Sequence, residues 1–191
     1  MSTSPANTLS IPPARKLHLL GFGVGFAGLG AWAVALKIEP ARALFGYLFA
    51  FMTVLAIALG ALCFVLIQHI TRAGWSVTVR RVAEVAMATL PAFLLLFVPV
   101  VMGAHHIFEW SHTEALDATL QKKAPYLDAG FFVVRALVCF GLWTALAMFY
   151  YRTSCAQDRS GDDKLTRRMW RFAPVGLIVY VLTQTFASFD W

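Results

Sequence analysis

Seven ionisable side chains stand inside or at the margins of long apolar runs: His69, Glu84, His105, His106, Asp128, Arg135 and Asp190. An ionisable group is costly wherever water is scarce, so each needs a partner or a task. His105 and His106 close one apolar run, and Glu109 follows one turn later. Arg135 lies about one helical turn inside the next run. Asp128 precedes it by seven residues, on roughly the same helix face. Asp190 ends the last run. Imidazole beside carboxylate and guanidinium suits proton uptake or release at a water boundary. It equally suits hydrogen bonding to a quinone carbonyl. The plainer alternative is an interfacial network that satisfies helix ends, with Asp128 near a start and the two histidines near an end. Arg135 lies deeper than the others and must have a partner.

Glu84 heads a second group. It follows Arg80-Arg81 early in the third run, while Gln68 and His69 close the second. Such a carboxylate can begin a proton path, or simply be held by a helix N-terminus and an arginine. Bis-histidine haem needs two ligands at one depth on facing helices, and His69 and His105 fall at opposite ends. His18 and His69 share an end but both lie at its boundary, so no haem site is expected. Cys63, Cys139 and Cys155 form no CxxC pair. They read as small apolar fillers rather than a disulfide framework or metal site. Gly23-Val24-Gly25-Phe26-Ala27-Gly28 matches the dinucleotide fingerprint formally, but that motif requires a strand before it and a helix after it. Gly21, Gly25 and Gly28 share one helix face, which suits close approach of a neighbouring helix.

The elements that must position these groups follow from hydropathy. The 191 residues are 59% hydrophobic and 14% charged, with mean hydropathy +0.68. Soluble chains carry roughly 25% charged residues. Five apolar runs are predicted to span a bilayer, at 17–36, 44–67, 82–108, 131–151 and 172–189, giving an all-α polytopic transmembrane helical bundle. Pro91 and Pro99 predict a bent or broken third span. Residues 1–16, rich in Ser, Thr and Pro, read as a disordered tail. In the acidic loop Glu109–Asp128, Ser111-His112-Thr113-Glu114 forms a capping-box pattern. Leu116 and Leu120 then share a face, so a short surface helix is expected before Pro125. Arg152–Arg171 reads as a polar loop.

Lys and Arg number two in the N-terminal tail, then two, three, two and six in the successive loops. One side therefore collects eleven and the other four. The positive-inside rule places the N-terminus in the cytoplasm and the acidic loop outside. Trp75 and Trp170 then fall at the inner interface, Trp110 and Trp191 at the outer, and Trp32 and Trp143 within spans. The net charge of +6 resides in short loops between apolar runs, without a recognition helix or aromatic-basic platform, so no nucleic-acid partner is expected.

Several segments together resemble a known family. They are Gly46-Tyr47-Leu48-Phe49-Ala50-Phe51, Arg80-Arg81 followed by Thr89-Leu90-Pro91, and His105-His106-Ile107-Phe108-Glu109-Trp110. Lys123-Ala124-Pro125-Tyr126-Leu127-Asp128 with Phe131-Phe132-Val133-Val134-Arg135, and Thr185-Phe186-Ala187-Ser188-Phe189-Asp190-Trp191, complete the set. Over most of residues 40–191 the chain resembles the smaller NrfD/polysulfide-reductase-C-like membrane subunit of bacterial alternative complex III, a quinol:cytochrome c or electron-acceptor oxidoreductase.

The resemblance implies a subunit of about ten spans of about 20 residues each, built from two four-helix bundles. Against it, this chain is expected to be the N-terminal half, truncated at its C-terminus. The resemblance also implies no prosthetic group bound by this chain, with quinone or quinol as a ligand of the complex. The implied partners are an NrfD-like sister subunit, haem c and iron–sulfur subunits and the lipid bilayer of the bacterial inner membrane. A quinone-binding label commonly attaches to such subunits, although the companion membrane subunit is the stronger choice for quinol oxidation. Proton conduction is the role proposed for the smaller one. A purely structural scaffold, or a small transporter, are the alternative readings.

Overall fold

The structure, a computed structural model, describes residues 15–75, 77–108, 126 and 128–191. Among them all regular structure is helical, and five helical stretches are long and apolar enough to cross a membrane. The chain is thus an all-α polytopic membrane protein. Helices satisfy their own backbone polar groups, which a bilayer cannot do for them. The chain divides into two units, Met1–Ala43 and Leu44–Trp191.

The first unit is dominated by α1 (Arg15–Ile38). Leu20, Phe22, Val24 and Phe26 are all exposed along it. The Trp32 indole donates to the Ala43 carbonyl at 3.1 Å. Arg15 and Lys16, expected in the tail, already belong to the helix; the rest of the tail lies outside the described residues.

The second unit holds most of α2 (Pro40–Ile70). It continues through α3 (Val77–Met87), α4 (Leu90–Leu96), α5 (Val98–Met102) and α6 (Ala104–Ile107), which together form one broken span. It closes with α7 (Ala129–Ser160) and α8 (Asp163–Asp190). The break expected in the third span falls where the prolines are. Pro91 and Pro99 each occupy the first turn of a short helix. The missing N–H is not needed there. Gly103 ends α5, and a Cβ on it would meet Leu44 Cδ2 at 2.6 Å, so a larger residue would push the Leu44 side chain aside.

Two expectations are corrected. Arg152–Arg171 is not a polar loop: α7 runs on to Ser160 and α8 begins at Asp163. The turn is confined to Gly161, at φ +65° with its N–H donating to Gln157 O, and Asp162, whose carboxylate accepts from Lys164 N at 2.8 Å. No proline or glycine interrupts 142–160, and polar side chains alone do not end a helix. Thirty-two residues make α7 about 48 Å long, well beyond a hydrocarbon core of about 30 Å. Trp191 is likewise no simple interface anchor. Its ring turns into the bundle against Phe97 (4.8 Å), Phe140 (5.3 Å) and Trp143 (5.9 Å).

α7 is the central helix, packing on α8, α4 and α3. The core beside it is aromatic: Phe51, Phe93, Phe97, Phe132, Phe140 and Trp143 are all buried. Trp143 donates to Thr183 Oγ1 at 2.8 Å, which removes the polar penalty of burying an indole. Lipid competes with side chains for apolar contact, so shape fit and such hydrogen bonds hold this core together more than expulsion of water does.

Candidate functional site

Two polar networks lie at opposite ends of the second unit. The first surrounds Glu84 on α3, which is 1% exposed. Arg80 and Arg81 precede it by four and three residues, so both reach back along the same helix face. Arg81 Nη1 donates to Glu84 Oε2 at 2.8 Å. The Ser154 hydroxyl of α7 donates to the same oxygen at 2.8 Å. Arg81 also pairs with Asp158, one turn beyond Ser154, and its Nη1 lies 3.6 Å from Cys155 Sγ. Glu84 Oε1 is held differently. It has the Arg80 guanidinium at 3.3 Å but no hydrogen bond among the described residues.

His69 lies deeper than its place at the end of a run suggested. It is 1% exposed, and neither ring nitrogen has a hydrogen-bond partner among the described residues. Its ring packs on Tyr150 at 5.1 Å. The Tyr150 hydroxyl donates to the Met169 carbonyl instead. Gln68 is buried too, and its Oε1 has no hydrogen-bond partner among the described residues. Tyr150 and Ser154 are four residues apart on α7, so the imidazole and the carboxylate meet that helix at positions about 6 Å apart along its axis.

The second network joins Arg135 to Asp190. Arg135 Nε meets Asp190 Oδ2 at 2.7 Å and Nη2 meets Oδ1 at 3.0 Å, a two-pronged pair between α7 and α8. Arg135 Nη1 donates to the Tyr126 carbonyl at 2.8 Å. The guanidinium also lies over the rings of Tyr126 (4.0 Å) and Phe131 (4.5 Å). The Tyr126 hydroxyl donates to Asp190 Oδ1 at 3.0 Å. Partial burial, and then this hydrogen bond, hold the Tyr126 phenol above its ordinary pKa, so it stays a donor at neutral pH.

Comparison with models of protein families and with curated proteins finds no match. The placement of each residue therefore rests on the geometry. Arg135 and Asp190, which the sequence put at similar depth, meet directly. Asp128 does not join them; its carboxylate caps α7 by accepting from Phe131 N at 2.9 Å. His105 and His106 are exposed and set edge to face, 6.0 Å apart. Glu109 lies outside the described residues, as do Trp110 and the surface helix expected before Pro125. Gly21, Gly25 and Gly28 lie along α1 within the first unit.

Ser154, Asp158 and Tyr150 were not foreseen as partners. The unbroken stretch up to Gly161 was the signal that α7 continues past Tyr151. Tyr126 was legible only as part of a motif. Among the described residues, no group of three or more His, Cys, Asp or Glu side chains is placed to hold a metal ion.

Proposed function

We propose that the chain is a membrane subunit of a respiratory quinol:electron-acceptor oxidoreductase of the alternative complex III type. It sits in the bacterial cytoplasmic membrane with its N-terminus inside, and it carries a proton path rather than a redox group. A sister NrfD-like subunit faces the quinol, and haem c and iron–sulfur subunits take the electrons. The observation that carries this reading is Glu84. A carboxylate buried at one end of a span, with one oxygen taking two donors and the other facing Arg80 with no hydrogen bond among the described residues, suits taking and releasing a proton. His69 on α2, whose ring nitrogens have no hydrogen-bond partner among the described residues and whose ring packs on Tyr150 one turn before Ser154, is the next station. Exit lies at the far end of the bundle, the end that carries the exposed His105 and His106 and the Arg135–Asp190 pair.

The test is replacement of Glu84 by Gln in the assembled complex, scoring proton release per electron and quinol oxidation separately. The expected result is normal assembly with proton coupling lost. Unchanged coupling in a correctly assembled complex removes the role.

A scaffold role is the second reading, favoured by Gly21, Gly25 and Gly28 sharing one face of α1. It expects Gly25→Leu to block assembly while Glu84→Gln leaves every activity intact.

A further inference from the structure

The outward face of α8 carries a charge pattern that the proton path does not use. Lys164, Arg167, Arg168 and Arg171 recur at every third or fourth residue and so line one face of the helix. All four are exposed, and none has a carboxylate within 4 Å among the described residues. Met169, Ala173, Gly176 and Tyr180, on the other side of α8, are buried in the bundle. The cationic stripe therefore points away from the protein core.

Two features separate this stripe from an ordinary solvated face. Lys164–Arg168 and Arg167–Arg171 are like-charge pairs four residues apart, which oppose the helix unless an anion lies between them. Next, the same face continues into the membrane as aliphatic side chains: Val175, Ile178 and Leu182 are 60%, 61% and 55% exposed. Cations at the rim followed by apolar surface below match one molecule, a phosphate headgroup with acyl chains beneath it. One cation of the stripe is already oriented by the protein. The Arg168 guanidinium lies 5.3 Å from the Phe149 ring centroid, on α7. An acidic protein segment would account for the charges but would have no use for the aliphatic continuation.

We propose that this face of α8 is a binding site for an anionic phospholipid, with Lys164, Arg167 and Arg171 holding the phosphate and Val175, Ile178 and Leu182 flanking the chains. The proposal is independent of the respiratory reading, because the isolated full chain suffices to test it.

The full chain is placed in nanodiscs of equimolar dioleoylphosphatidylglycerol and dioleoylphosphatidylcholine, and retained lipids are counted by native mass spectrometry after extraction. The wild-type chain is expected to keep phosphatidylglycerol in preference to phosphatidylcholine. The triple variant Lys164→Gln, Arg167→Gln, Arg171→Gln is expected to lose that preference by about tenfold or more. A charge-matched variant at Arg72, Arg152 and Arg159, basic residues near the same end of the bundle, is expected to keep it. Arg171→Lys should retain it as well, and far-UV circular dichroism verifies that each variant is folded. Equal loss in the two triple variants would mean general charge attraction and would overturn the site. So would equal retention of the two lipids by the wild-type chain, or displacement of the bound lipid by inorganic phosphate.

Discussion

The two ends of the second unit each bury a carboxylate against arginine, yet they do so in opposite ways. At the Arg135 end the pairing is closed. Asp190 receives two guanidinium hydrogens and a phenol, and the guanidinium spends its third direction on the Tyr126 carbonyl. At the Glu84 end it is open. One carboxylate oxygen takes two donors, the other has an arginine at 3.3 Å without a hydrogen bond, and the buried His69 imidazole has no hydrogen-bond partner among the described residues. A closed pair fixes helices, because its donors and acceptors are spent on one another. An open one leaves a carboxylate oxygen for a further donor. Similar residue types thus serve as a clamp at one end and as a candidate relay at the other.

The largest expected effect breaks the clamp. Arg135→Met strands Asp190, which is 5% exposed, and should cost about 3–5 kcal/mol. Unfolding in mixed detergent micelles measures it. Adding Asp190→Leu should recover much of the loss, because the stranded charge goes with it. A single variant as stable as wild type would show that the pair is not the clamp.

At the Glu84 end the losses should be smaller. Glu84→Leu leaves Arg80 without its anion, but Arg81 keeps Asp158 and is 39% exposed, so solvent screens it. A loss of about 1–3 kcal/mol is expected. Glu84→Gln should cost less, since an amide oxygen still accepts from Ser154. If Glu84→Leu proved as damaging as Arg135→Met, the two ends would be equivalent clamps and the contrast would fail.

How much of this was legible in the sequence differs between the ends for a physical reason. The five spans and the proline breaks follow from hydropathy and from the missing N–H of Pro91 and Pro99, both local properties. Arg135 was recognisable as a group needing a partner, because a cation one turn inside an apolar run has few options. Its choice of Asp190 over Asp128 was not legible. Asp128 is nearer in sequence, but as the residue preceding α7 it is taken up by the Phe131 backbone N–H. The Glu84 network was only half visible. Arg80 and Arg81 are local in sequence, whereas Ser154 is seventy residues away on a stretch that looked like loop. The length of α7 was hidden because a helix leaving the membrane changes its composition without changing its backbone.

Ser154→Ala sharpens the comparison further. It removes one donor from Glu84 Oε2 and should cost about 1 kcal/mol. Under the relay reading it also leaves that oxygen with Arg81 as its remaining donor, so proton coupling in the complex should change while assembly stays normal. Unchanged coupling would assign Ser154 to packing alone.

The smallest effect belongs to Tyr126→Phe, and its pH dependence distinguishes the clamp most cleanly. The substitution removes the donor to Asp190 but keeps the ring under the Arg135 guanidinium. The loss should therefore be only about 0.5–1 kcal/mol. The phenol is held above its ordinary pKa by partial burial and by the hydrogen bond to Asp190. A group whose folded-state pKa exceeds the unfolded one contributes its stability below the unfolded value, about 10 for tyrosine, and loses it as pH rises through the folded value. The stability difference between wild type and Tyr126→Phe should hence be constant from neutrality to about pH 10 and fade above it. A difference that faded near neutrality instead would mean that the phenol is not the donor that completes the clamp. Asp190 would then be accessible to protons, and the closed end of the bundle would have to be redrawn as a second open one.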